Sequence, residues 1–183
     1  MSKIDIMEKT IWNLDPMHSE VQFKVKHLVI STVTGEFGVF NASLQSNGLD
    51  FSQANAQFEA DVDSINTRQS DRDNHLKSAD FFDAAQFPKL TFETTSFEHI
   101  GGDRYTIHGN ITIKGVTKPI ALSAVYGGNM TDFYGNDKVG FEMEGKINRQ
   151  DFGLTWSAVT EAGGIVVSDE VKLILNLQFA KQQ

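Results

Sequence analysis

The chain has 183 residues, 24 of them Asp or Glu against 16 Lys or Arg, and a formal net charge of -8. That length suits a single domain with a substantial core, and the acidic balance would repel a polyphosphate backbone, so nucleic acid is not an expected partner. The absence of Cys excludes disulfides, thiolate metal sites and a cysteine nucleophile.

Residues 1–10 read as an N-terminal extension in which Lys3, Asp5, Glu8 and Lys9 interrupt any apolar run. A signal peptide needs such a run, so the chain as it stands is expected in the cytoplasm, and in the periplasm only as a processed or trimmed form. The longest aliphatic stretches, such as Leu28-Val29-Ile30, are too short to cross a bilayer. The 14 Phe against 2 Trp and 3 Tyr favour aromatics without a polar handle, suited to a large apolar surface facing a core or a cavity.

From residue 20 onward the pattern is that of antiparallel strands. Val21, Phe23, Val25 and His27 share one parity, with Gln22, Lys24 and Lys26 between them. Ala54, Ala56, Phe58, Ala60 and Val62 alternate with polar residues, as do Tyr105, Ile107, Ile111 and Ile113, with Gly109 on the inner side. Later runs carry Ile120, Leu122, Ala124 and Tyr126, then Val139, Phe141, Met143 and Ile147, then Val171 to Phe179 in steps of two. Less regular strands fit Gly35–Leu44 and Leu90–Phe97. Turns are expected at Asn47-Gly48, Gly101-Gly102-Asp103, Gly127-Gly128-Asn129 and Gly135-Asn136-Asp137.

One short helical insertion is expected near residues 70–82, with the Ser70 hydroxyl capping the Asp73 amide. About eight one-sided strands with a single helix as cover favour closure into a barrel. The small inner residues Ala54, Ala56, Ala60 and Gly109 leave room for a cavity. The inner parity and the less regular strands supply ten candidates for lining that cavity and meeting any apolar ligand in it: Phe23, Val25, Phe37, Phe58, Phe92, Ile107, Ile111, Phe141, Met143 and Leu173.

Catalytic signatures are sparse. Gly140 to Lys146 has the GxxxxGK spacing, but Ile147 stands where Ser or Thr would hold magnesium and Glu142 and Glu144 would repel phosphate, so it reads as a strand. Asp71 and His75, four apart on the helix, read as a pair or a cap, and no metal is assigned. The dense stretch from Thr67 to Asp83 reads either as a polar rim for a ligand headgroup or as a solvated helix whose Arg68 and Arg72 pair with Asp71, Asp73 or Asp80. Arg149 and Asp151 likewise read as an internal ion pair or as part of a headgroup site. His27, Arg68, Arg72, His75, Arg149 and Asp151 are therefore the headgroup candidates.

Several segments occur in a telling order: His18-Ser19 before the Val21 strand, Gly35-x-Phe37, Arg72-Asp73-x-His75-Leu76, Asp80-Phe81-Phe82-Asp83, Phe87-Pro88, Gly109 through Pro119, Arg149-x-Asp151-Phe152-Gly153 and Asp169-Glu170-Val171. Over about residues 11–180 the chain resembles the YceI family of lipocalin-like, polyisoprenoid-binding proteins. The resemblance implies an all-β, eight-stranded antiparallel lipocalin-like barrel, a single domain over 11–180, and a non-catalytic role. The expected ligand is a long apolar amphiphile, such as a polyisoprenoid or an isoprenoid quinone, bound inside the barrel and carried without any cofactor. A homodimer is left open. The alternatives are an enzyme using the barrel as a reaction chamber, and a filled barrel whose acidic strands Asn55–Asp63 and Glu142–Lys146 meet a protein partner.

Overall fold

Period-two alternation in the sequence becomes alternation of burial in the folded chain. Along one strand Tyr105, Ile107, Gly109, Ile111 and Ile113 are buried while His108 and Asn110 are exposed. The computed structural model describes residues 8–158 and 166–183. Its strands are β1 (Thr10–Leu14), β2 (Glu20–His27), β3 (Ser31–Phe37), β4 (Phe40–Asn47), β5 (Asp50–Asp61), β6 (Ile65–Asn66), β7 (Lys89–Gly101), β8 (Arg104–Ile113), β9 (Val116–Thr131), β10 (Asp137–Asn148) and β11 (Val167–Lys181), with one helix, α1 (Ser70–Lys77).

All eleven strands belong to one antiparallel sheet, closed where β1 pairs with β11. Three of the staves are broken. β1 and β2 lie end to end along β11, separated by a 3-10 turn at Pro16–His18. β3 and β4 follow along them, and β5 and β6 continue the third stave after a second 3-10 turn at Val62–Ser64. The result is an eight-stranded barrel drawn from eleven segments. The break at Pro16 follows from its missing N–H, which cannot serve a ladder, and from the Asp15 carboxylate, which accepts from the Met17 amide at 3.2 Å.

Two local expectations are corrected. Gly127-Gly128-Asn129 is not a turn: it lies within β9, where the register against β10 shifts at Gly140/Phe141 and Gly128 takes φ 105°. The reversal falls instead at Asp132–Asn136, whose amides at Tyr134 and Asn136 are both held by the Asp132 carboxylate at 2.9 Å. Ser70 does not cap the helix. The Asp73 amide donates to the Gln69 carbonyl at 3.0 Å, and the Asp73 carboxylate turns back to accept from the amide and hydroxyl of Thr67 at 2.8 and 2.6 Å.

One end of the barrel is closed by aromatic rings. Phe51 is 0% exposed and meets Phe141 edge-on at 5.1 Å and Tyr126 at 5.3 Å, while Trp12 packs against it at 6.0 Å and donates its indole N–H to Ser46 Oγ at 2.8 Å. Burial in this plug raises the phenol pKa values of Tyr105 and Tyr126. At the opposite end α1 and the segment to Phe87 fill the gap left by the short β6. That segment is fastened by backbone bonds from Phe82 to Leu76 at 3.0 Å and from Ala84 to Lys77 at 2.9 Å.

Candidate functional site

Above the aromatic plug the inward side chains leave a cavity of about 170 Å³. All ten residues read from sequence as tail contacts line it: Phe23, Val25, Phe37, Phe58, Phe92, Ile107, Ile111, Phe141, Met143 and Leu173. Its polar lining is confined to Gln22, Gln57, Thr94 and Arg149, and no Asp, Glu, Lys or His lines it among the described residues. Gln22 and Gln57 belong to the outward parity. The Thr94 hydroxyl accepts from the Ala56 amide at 2.9 Å, closing a bulge in β7. Among the described residues every buried side-chain N or O has a hydrogen-bond partner, so none is left to greet a polar guest.

The cavity exists because small residues face large ones across the sheet. A Cβ on Gly35 would lie 2.2 Å from Phe23 Cζ, and one on Gly109 would lie 2.4 Å from Phe92 Cζ. The outer end of each ring therefore occupies the space over a glycine that any side chain there would fill. Half-buried side chains, among them Phe23, Val25, Leu76, Phe82 and Val171, gather at the end carrying α1, whereas Trp12, Phe51 and Phe141 of the plug are buried, so the cavity opens beneath the insertion.

The headgroup candidates are not brought together. Arg68 is exposed at φ 65°, and His27 sits half-buried at the end of β2 outside the cavity lining. Arg72 forms none of the expected ion pairs with aspartate; its guanidinium donates to the hydroxyl and carbonyl oxygens of Thr67 at 2.8 and 2.7 Å. His75 Nε2 lies 2.9 Å from Asp80 Oδ2, and its ring stands edge-on to Trp156 at 4.8 Å and to Phe81 at 5.1 Å. Arg149 reaches the cavity wall, yet the expected pair with Asp151 is absent: Asp151 is exposed in the 3-10 turn Arg149–Phe152. The Arg149 guanidinium, 3% exposed, instead donates to the carbonyls of Leu154, Trp156, Ser168 and Val167, with Asp169 at 3.3 Å. Burial lowers its pKa and Asp169 partly offsets the shift. It is a strut between the turn and β11.

Sequence reasoning missed Leu76, Phe81, Phe82 and Leu154 as lining residues. Leu76 is a lone apolar residue on a short polar helix and the other three sit in irregular backbone, so no period marks which side faces inward; the Phe81-Phe82 pair beside a helix was the available signal.

The family model described as a YceI-like domain matches residues 12–179. This chain belongs to the YceI family. A UPF0312 protein of Staphylococcus aureus is 34% identical over 172 residues, covering 93% of this chain and 98% of the relative. Among solved structures, the YCEI protein of Campylobacter jejuni superposes with a TM-score of 0.75 at 32% identity, covering 86% of this chain and 90% of that one. BcnA of Burkholderia cenocepacia, at 24% identity and a TM-score of 0.79, shares the fold over 90% of this chain and 98% of its own. So does a polyisoprenoid binding domain from Saccharophagus degradans, at 17% identity and a TM-score of 0.68 over 93% and 98% of the two chains. The YceI barrel is thus common to proteins of several bacteria, with this chain spanning nearly the whole of each.

Proposed function

We propose that this YceI-family protein binds one long apolar amphiphile, a polyisoprenoid or isoprenoid quinone, inside the barrel and carries it without chemical change. The observation that carries the reading is the cavity itself, lined mainly by hydrocarbon side chains and with no buried side-chain N or O left unpartnered among the described residues. An apolar void of about 150 Å³ stays dry and takes a benzene-sized guest, so a volume of about 170 Å³ holds one or two five-carbon units as it stands. A longer tail displaces phenylalanine rings or trails through the open end. Each isoprene unit removed from water contributes about 4 kcal/mol gross, before ordering and association costs. The name of the Saccharophagus neighbour supports the ligand class.

Recognition then rests on the tail, with the headgroup at the rim near α1. A reaction chamber would need acid and base groups converging on the ligand, and no carboxylate or imidazole lines this one among the described residues. Solvent extraction of gently purified protein, followed by mass spectrometry and titration with ubiquinone and a polyprenyl phosphate, tests the reading. One apolar-tailed lipid per chain is expected. Empty extracts together with no uptake at micromolar concentration would overturn it.

A further inference from the structure

The β2–β3 hairpin closes through Leu28, Val29 and Ile30, exposed by 40%, 74% and 88%. Leu28 and Val29 both take left-handed backbone, at φ 53° and 66°. Two consecutive left-handed residues are ordinarily Asn-Gly, and a β-branched residue there is strained. Turn stability therefore does not account for three consecutive aliphatic residues pointing into water. The tip also stands at the open end of the cavity: the Leu28 amide donates to the Val166 carbonyl at 2.8 Å, and Val167 lines the cavity.

The charge beneath the tip has a definite sign. Lys24 and Lys26 are exposed on the outer face of β2, opposite Thr34 and Thr32 of β3. Lys26 Nζ donates to the Thr32 hydroxyl at 3.0 Å, and among the described residues neither lysine has an acidic partner. The adjoining carboxylates of β10 and β11 are already engaged: Asp169 with Arg149, Glu170 with Lys146, and Glu144 with Lys172. On a chain of net charge -8 this leaves a local basic pair directly under an apolar tip. A second exposed apolar tip, Phe133-Tyr134 at the closed end, is bracketed by Asp132 and Asp137.

We propose that the β2–β3 hairpin is a membrane-docking element that places Leu28, Val29 and Ile30 in the interface of an anionic bilayer while Lys24 and Lys26 face its headgroups. Short aliphatic anchors with flanking cations bind such interfaces reversibly. The proposal extends the carrier reading, because it sets the open end of the cavity against the surface that holds apolar-tailed lipids. It stands on the hairpin alone, however, and is measured separately from ligand uptake.

The test is flotation of the full chain with vesicles of equimolar phosphatidylglycerol and phosphatidylcholine, and with pure phosphatidylcholine. Wild type is expected to float with the anionic vesicles. Leu28→Asn with Val29→Gly supplies the residues that the turn geometry favours, so this variant should melt no lower than wild type yet lose binding about tenfold or more. Lys24→Gln and Lys26→Gln should each weaken anionic-vesicle binding about fivefold. Phe133→Ser should change nothing. Wild type that stays unbound, or a tip variant that floats as well as wild type, overturns the proposal. So does concentration-dependent self-association through the tip without vesicle binding, which would make it a protein interface. Uptake of ubiquinone from detergent by the same variants should be unaltered; loss of uptake in wild type with flotation intact would sink the carrier reading and leave the docking element standing.

Discussion

Phe23 of β2 lies directly across from Gly35 of β3, its ring occupying the space where a Cβ at position 35 would stand, 2.2 Å from Cζ. The pair fixes one wall of the cavity near its opening, and its removal has a definite consequence. Gly35→Val forces the Phe23 ring off the wall and into the space a ligand would use. Overpacking of this kind costs about 1–3 kcal/mol. Denaturant titration should show that loss together with weakened quinone uptake, whereas unchanged uptake would mean that the ring has another place to go.

Phe141 bridges the plug and the cavity, lining the latter while meeting Phe51, Phe97, Tyr105 and Tyr126. Phe141→Ala should destabilise the protein by about 3–5 kcal/mol and extend the cavity downward. If the tail is held where we propose, the variant should shift its preference toward longer polyprenyl chains in a competition assay. A stability loss with no change in chain-length preference would place the tail elsewhere.

Arg149 and Asp151 are two residues apart in sequence and opposite in consequence. Arg149→Met strands four backbone carbonyls, and a loss of about 3–5 kcal/mol is expected for removing a buried, fully bonded charge. Asp151→Ala, at an exposed turn position, should stay within about 0.5 kcal/mol of wild type. Equal effects in thermal melts would show that the strut is not formed.

Asp15 supplies a pH test. Burial alone would raise its pKa, but hydrogen bonds from Lys138 at 2.9 Å and His18 at 2.8 Å, with the attraction of both, hold it below the ordinary value of 3.8. A carboxyl whose pKa is depressed by folding stabilises the protein above the unfolded value, and that contribution disappears as pH falls through the native one. Asp15→Asn should therefore cost about 1–3 kcal/mol at neutral pH, as expected for charged hydrogen bonds. The two proteins should converge in stability below pH 3.8. A constant difference down to the acid transition would contradict the assignment.

The barrel was legible in the sequence because its strands are dry on one face only, and a period of two survives in runs such as Val139 to Ile147. The breaks in the staves were not, since alternation resumes after Pro16, Gly38 and Val62 and hides the interruption. Gly127-Gly128 misled for a related reason: glycine marks a bulge as readily as a turn. At the site, the cavity-lining residues of the regular strands followed from parity. The polar candidates did not, because Arg149 and Arg72 are bonded to backbone carbonyls, which every residue carries and no sequence pattern announces.

Because β11 pairs with β1 at one end and β2 at the other, the last strand of the chain holds the first two in place. During synthesis the N-terminal staves must wait, with an edge open, until residues near Phe179 have left the ribosome. Contacts spanning nearly the whole sequence make such closure slow, and an uncovered edge is an invitation to pair with a neighbouring chain. A nascent barrel of this design is therefore most exposed to chaperones, and most in need of them, in the interval just before its final strand arrives.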